Sequence, residues 1–298
     1  MSARLVWERD GRDWPNREAS RFVEAGGLRW HVQIMGKAIG EAPALLLLHG
    51  AGASTHSWRD LMPALAQDFC VIAPDLPGQG FTAAPHGDGY TLHGMARGIA
   101  ALMSALNVAP QIIVGHSAGC ALAVRMSLDG LAAPRAIIGL NAALLPFHSV
   151  GVLFSGLAKL LALNPLFPRF FAHQARSPRV IQRLLDDTGS RLDARGAALY
   201  QRLAENPGHV SGTLRMMANW DLDGLRRDLP KLATKLYLLT GMKDGTIDPE
   251  RAHDVRKLVP NAEIMMFPGL GHLAHEEQPA LFAQRIRDIA QRHLTGEP

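Results

Sequence analysis

Gly115-His116-Ser117-Ala118-Gly119 sets a serine between two glycines; the apolar run Gln111–Val114 leads into it and a helical pattern opens at Cys120. The glycines answer a crowding problem. Where a strand turns abruptly into a helix, the serine backbone is strained, and a Cβ two residues away on either side would collide. Such a turn lifts the hydroxyl clear of a sheet edge, so the motif predicts nucleophilic attack on an acyl carbon. A serine hydroxyl is a weak nucleophile near neutral pH and needs a base to take its proton.

Thirteen histidines could supply that base, so position has to choose. His272 follows the last apolar run in Pro268-Gly-Leu-Gly-His, in a loop able to reach back over a sheet edge. His275 is the alternative and heads into the final helical pattern with Glu276 and Glu277. His49 and His116 read as packing partners of their own loops. The base in turn needs an acceptor to fix its tautomer. Asp244, in Thr240-Gly-Met-Lys-Asp, is the candidate; Asp248, beside Pro249, is the alternative and is better suited to capping the helix that follows. Charge on a tetrahedral intermediate needs backbone N–H donors. Ala118, following the nucleophile, supplies one. Ala51 supplies the other, with Gly52 as the second choice, from the small-residue loop His49-Gly50-Ala51-Gly52-Ala53-Ser54. His272-x-x-His275-Glu276 lacks a distant third ligand, so no metal site is expected. Asp75-Leu-Pro-Gly-Gln-Gly lacks the Gly-Lys-Ser/Thr ending of a phosphate loop, and no cofactor is implied.

The elements that must position these residues are legible as short apolar runs. Arg21–Ala25 and Leu28–Met35 flank the hairpin signal Gly26-Gly27. Ala44–His49, Phe69–Pro74, Gln111–Gly115, Ala136–Leu140, Lys235–Thr240 and Glu263–Phe267 follow, each bounded by Gly, Pro or Asp, as strands buried on both faces should be. Helical patterns lie between most of them, at Trp58–Gln67, Leu92–Leu106, Cys120–Leu128, Pro249–Leu258 and Pro279–His293. The alternation predicts an α/β fold with a mostly parallel central sheet and helices on both faces. Residues 1–140 and 231–298 form this core, and residues 141–230 read as a helical lid inserted after the sixth strand. The apolar stock of the lid, chiefly Phe147, Phe154, Met216, Met217 and Trp220, either lines a pocket for a small lipophilic substrate or builds the lid's own core.

Composition narrows the classes. With 298 residues, 47% hydrophobic and 19% charged, the chain can bury a large core and is neither disordered nor fibrous. Its net charge of +4 is dispersed with no run of five like charges, which leaves nucleic-acid binding without support. Cys70 and Cys120 have no ligand or disulfide spacing. The charged N-terminal stretch from Arg4 to Arg21 has no apolar leader core, so a cytoplasmic location is expected. Ala136–Ala158 carries no Asp, Glu, Lys or Arg over 23 residues, yet Asn141, Pro146, Gly151 and Gly156 interrupt it, which favours a lid segment over a membrane span. Val150–Leu163 could instead make peripheral membrane contact.

His49-Gly50, Asp75-Leu-Pro-Gly, Gly115-His-Ser-Ala-Gly, Asp244 and Gly271-His272, in that order, resemble the α/β-hydrolase superfamily over nearly the whole chain. Longer strings are similar to the BchO group, the magnesium-chelatase accessory proteins of bacteriochlorophyll synthesis. These include Asp13-Trp14-Pro15, His49-Gly-Ala-Gly-Ala-Ser-Thr-His-Ser-Trp58, Asn141-Ala-Ala-Leu-Leu-Pro-Phe147, Pro207-Gly-His-Val210, Met216-Met-Ala-Asn-Trp-Asp221 and Gly269-Leu-Gly-His-Leu-Ala-His-Glu-Glu277. The resemblance implies the α/β-hydrolase fold and a Ser117-His272-Asp244 triad. It also implies a setting near magnesium insertion into protoporphyrin, a tetrapyrrole as the lipophilic ligand, and contact with magnesium chelatase. Two functions follow: a serine hydrolase acting on an ester-like carbonyl, or a non-catalytic porphyrin-binding or chelatase-partner protein on the same scaffold. Some hydrolases of this fold take the acid one strand earlier, where this chain has Asn141, which cannot serve as a carboxylate. Gln79 stands where relatives more often carry His, a departure expected to touch only loop packing.

Overall fold

The structure, a computed structural model, describes residues 4–146, 164 and 166–295. Eight strands form one sheet in the order β1-β2-β4-β3-β5-β6-β7-β8. They are β1 (Ser20–Ala25), β2 (Leu28–Gly36), β3 (Ala44–Leu48), β4 (Cys70–Pro74), β5 (Ile112–His116), β6 (Ala136–Leu140), β7 (Lys235–Gly241) and β8 (Glu263–Phe267). The β1–β2 hairpin turns at Gly26-Gly27 and joins the sheet antiparallel through β2 and β4; the remaining pairs are parallel. Each expected strand is present to within about two residues.

The short apolar runs become strands because both sheet faces are covered. Along β3, Leu46 and Leu48 join one buried cluster while Leu45 and Leu47 join another. The first cluster is closed by α3 (Leu92–Ala105), α4 (Ala118–Leu128) and α10 (Arg251–Leu258). The second is closed by α2 (Leu61–Leu65) and α12 (Pro279–Leu294), with the single turn α11 (Ala274–Glu277) leading into α12. Alternate residues thus face opposite layers, as the pleat requires. A short α1 (Trp7–Asp10), not expected from the sequence, precedes the hairpin. The helix expected over Trp58–Gln67 is shorter than its pattern: a 3₁₀ turn at Thr55–Trp58 precedes α2. Pro63 has no N–H to donate, so it fits only in the first turn of α2.

Between β6 and β7 the described chain holds α5 (Phe167–Gln174), α6 (Pro178–Asp187), α7 (Ala194–Ala204), α8 (Pro207–Ala218) and α9 (Leu222–Asp228), and no strand is found among its described residues. Ala136–Leu140 is a buried strand, and no helix among the described residues is long and apolar enough to cross a membrane. Phe147, Phe154 and Val150–Leu163 lie outside the described residues.

Candidate active site

Ser117 sits between the end of β5 and the start of α4 with φ 50° and ψ −117°, a geometry L residues rarely adopt. Its surroundings leave no room for larger neighbours. A Cβ on Gly119 would lie 2.0 Å from the Leu48 carbonyl oxygen, and one on Gly115 would lie 2.4 Å from the Cys120 nitrogen. Both obstacles are backbone and cannot swing aside. Gly119→Ala is therefore expected to destabilise the fold by on the order of 3 kcal/mol, read by urea unfolding. Wild-type stability in that variant would mean the turn is looser than its glycines indicate.

His272 lies on the loop after β8, and its Nδ1–H donates to Asp244 Oδ2 at 2.8 Å. Asp244 follows β7, and both side chains are buried. Asp244 Oδ1 accepts from the Thr246 and Ile247 N–H groups, each at 2.8 Å, and Oδ2 accepts a second bond from Asn141 Nδ2 at 2.8 Å. The carboxylate is thus fixed on every side, and the imidazole it holds keeps Nε2 free to exchange a proton. Asp248 is exposed and accepts from the Glu250 N–H within its own turn; it does not cap α10, whose N-cap is Glu250 with no side-chain bond.

His116 ties the serine turn to the histidine loop. Its Nε2–H donates to the His272 carbonyl at 3.0 Å, and its ring centroid lies 4.8 Å from that of His272. Ser117 is half-buried, and its hydroxyl has no hydrogen-bond partner among the described residues. Asp244 and His272 are joined here; the Ser117 hydroxyl and His272 are brought to the same sheet edge without a bond between them. Catalytic hydrogen bonds of this kind commonly tighten only when substrate binds.

The loop after β3 closes against the serine: a Cβ on Gly50 would meet the Ser117 Cβ at 3.1 Å. Of the two N–H groups offered by this loop, that of Gly52 is taken by Gln79 Oε1 at 2.7 Å. Those of Ala51 and Ala118 have no acceptor among the described residues. His49 holds the loop from beneath, its Nδ1–H donating to the Gly50 carbonyl at 2.8 Å and its Nε2 accepting from the Leu76 N–H at 2.9 Å. Gln79 thus reaches beyond loop packing, because it fixes this turn directly. Asn141 and Gln79 are the residues whose roles sequence reasoning missed. The signal was positional: Asn141 directly follows β6, the strand beside the one that leads into Ser117, and Gln79 lies in the turn that follows β4.

His275 is fully buried, with Nε2–H donating to Ser57 Oγ at 2.9 Å, and Ser57 in turn donates to Glu276 at 2.7 Å. Met216 packs into the core, Met217 is exposed, and Trp220 packs partly buried against the same core. Among the described residues, no group of three or more His, Cys, Asp or Glu could hold a metal ion.

Five buried histidines are held in the neutral form. Burial pushes His49, His56 and His116 below the ordinary imidazole range, His209 down to about 4 and His275 to about 3. The unfolded chain would protonate them near pH ~6.5, so the stability gained from keeping them neutral is complete above that pH. It is lost as pH falls from there toward the depressed values, at about 1.4 kcal/mol per pH unit for each group. Thermal unfolding at pH 5 should therefore occur roughly 10 °C or more below that at pH 7. Equal midpoints would contradict neutral burial.

Residues 43–279 match the family model of the α/β-hydrolase fold, and the chain belongs to that family. It is similar to the magnesium-chelatase 30 kDa subunit of Rhodobacter capsulatus, with 42% identity over 269 residues covering 89% of this chain and 92% of that one. This agrees with the BchO-type strings. The 2-hydroxy-6-oxo-2,4-heptadienoate hydrolase of Pseudomonas putida is 25% identical over 284 residues, covering 92% and 97% of the two chains. Among solved structures, the meta-cleavage product hydrolase CumD of Pseudomonas fluorescens superposes with a TM-score of 0.74 at 22% identity, covering 93% of this chain and 99% of that one.

Proposed function

We propose that the chain is a serine hydrolase acting on an ester-like carbonyl of a small lipophilic substrate, in the setting of magnesium chelation. The observation that carries this reading is the His272–Asp244 pair at 2.8 Å, held at the sheet edge that also bears the strained serine turn. Ser117 Oγ attacks the acyl carbon as its proton passes to His272 Nε2, and Asp244 stabilises the imidazolium. The developing oxyanion is received by the Ala51 and Ala118 N–H groups. The leaving group departs with the proton from His272, and water, deprotonated by the same imidazole, releases the acyl group and restores the hydroxyl. Residues 141–230 act as a lid over the core of 1–140 and 231–298, with Phe147, Phe154, Met216, Met217 and Trp220 as its apolar stock. A tetrapyrrole is the first substrate to try, and the chelatase the first partner. The protein works in the cytoplasm, with Val150–Leu163 as its point of contact with a membrane.

The similarity to a chelatase subunit favours a second reading, a binding protein that presents porphyrin to the chelatase without catalysis. A strain lacking this gene separates the two. Wild type should restore bacteriochlorophyll and Ser117→Ala should not; full rescue by Ser117→Ala at equal expression would overturn the hydrolase reading in favour of binding.

A further inference from the structure

Gly52, in the middle of the loop after β3, has φ +79° and is gripped on both sides. Its N–H donates to Gln79 Oε1 at 2.7 Å, and its carbonyl accepts from His209 Nε2–H at 3.1 Å. Both holders are buried and already committed. His209 Nδ1 accepts the Gly80 N–H at 3.0 Å, which places the ring proton on Nε2, and burial keeps the ring neutral. Gln79 Nε2 donates to Met216 Sδ at 3.1 Å, and the Thr213 hydroxyl, which donates to the His209 carbonyl at 3.1 Å, lies 3.4 Å from Gln79 Oε1. His209, Gly212, Thr213 and Met216 follow the spacing of one helix face, and all belong to α8. That face lies so close to the turn Pro77–Gly80 that a Cβ on Gly212 would be 2.0 Å from the Gly78 carbonyl oxygen.

We propose that His209 and Gln79 are positioning residues that clamp the peptide units flanking Gly52, so that the seating of α8 sets the aim of the Ala51 N–H at the oxyanion. The inference rests on Ser117 and Ala51 acting as nucleophile and oxyanion donor. The two peptide planes that meet at Gly52 are held by these clamps. The one held by His209 also carries the Ala53 N–H, which donates at 3.2 Å to the Gly50 carbonyl on the plane that bears the Ala51 N–H. With the Gly52 N–H occupied, the Ala51 N–H is the loop donor left for substrate. A donor aimed at developing charge loses much of its effect when it drifts by about an ångström. The inserted helices thereby become part of the catalytic geometry and do more than cover it.

The variant His209→Asn retains an oxygen to accept the Gly80 N–H, but its amide NH₂ stops short of the Gly52 carbonyl, whereas His209→Gln restores a donor near the Nε2 position. With p-nitrophenyl butyrate, His209→Asn should lower kcat by about 10- to 100-fold with KM within about 2-fold, and His209→Gln should recover most of the loss. Affinity for a trifluoromethyl ketone, which forms an oxyanion on Ser117, should fall in step with kcat. Gln79→Met, which removes the acceptor for the Gly52 N–H, should show the same split and keeps the test open if His209→Asn fails to fold. Wild-type kcat in folded Gln79→Met, or a loss confined to KM in either variant, would overturn the clamp while leaving the hydrolase reading intact. Wild-type protein inert toward both the ester and a fluorophosphonate would overturn the hydrolase reading and the clamp with it.

Discussion

Ser117→Ala should lower kcat/KM for an activated short-chain ester by on the order of 10⁴- to 10⁶-fold while leaving the thermal midpoint within about 2 °C of wild type. The hydroxyl is the only group lost. It bonds to nothing among the described residues, so its removal leaves no buried group unpaired. The backbone N–H of residue 117 still donates to the Leu140 carbonyl at 2.9 Å, and its carbonyl still accepts from Cys120 and Ala143 at 3.1 and 3.2 Å. The turn should therefore survive and only the covalent step should disappear. Steady-state kinetics and differential scanning calorimetry on the same preparation check both halves. Substantial hydrolysis by the variant would remove Ser117 from the chemistry.

Asp244→Asn should cost about 10³- to 10⁴-fold in kcat, through a proton in the wrong place. Four donors converge on the Asp244 carboxylate: His272 Nδ1, Asn141 Nδ2 and the Thr246 and Ile247 N–H groups. An amide has one oxygen to offer them. If that oxygen faces the two backbone N–H groups, the NH₂ faces the ring and Asn141. His272 must then carry its proton on Nε2, where it cannot accept one from Ser117. If the amide turns over, its NH₂ opposes two backbone donors instead. Either arrangement leaves buried donors unpaired, so a stability loss of about 2 kcal/mol should accompany the kinetic one. Asp248→Asn is the control, since that side chain is exposed and bonded to its own turn, and its kcat should remain within about 2-fold of wild type. Equal losses in both variants would contradict the pairing seen here.

The sheet was legible because its strands are apolar runs too short for helices and punctuated by Gly, Pro and Asp, as strands covered on both faces are. The hairpin was legible because Gly26-Gly27 admits a turn closed to most residues: φ is +56° and +74° there. The choice of Asp244 over Asp248 followed from distance to the strand end, and the structure pairs Asp244 with His272. Side-chain geometry across elements was not legible. Asn141 could be seen not to be a carboxylate, but nothing in its neighbours in the chain shows that its amide meets Asp244, 103 residues away. Likewise, Gln79 meets Gly52 across two loops, and Met216 where α8 is laid across the turn that carries it. The same limit explains α2, whose apolar periodicity extends over a 3₁₀ turn as readily as over a helix.

That Ser117, His272 and Asp244 work as one relay is tested most directly by reaction with a fluorophosphonate, followed by mass-spectrometric mapping of the adduct. Wild type should gain a single phosphonyl group on Ser117. His272→Ala and Asp244→Asn, though folded, should react at least about 100-fold more slowly, because the hydroxyl has lost its base or the base its tautomer. An adduct on another residue, or undiminished labelling in the folded His272→Ala variant, would contradict the relay.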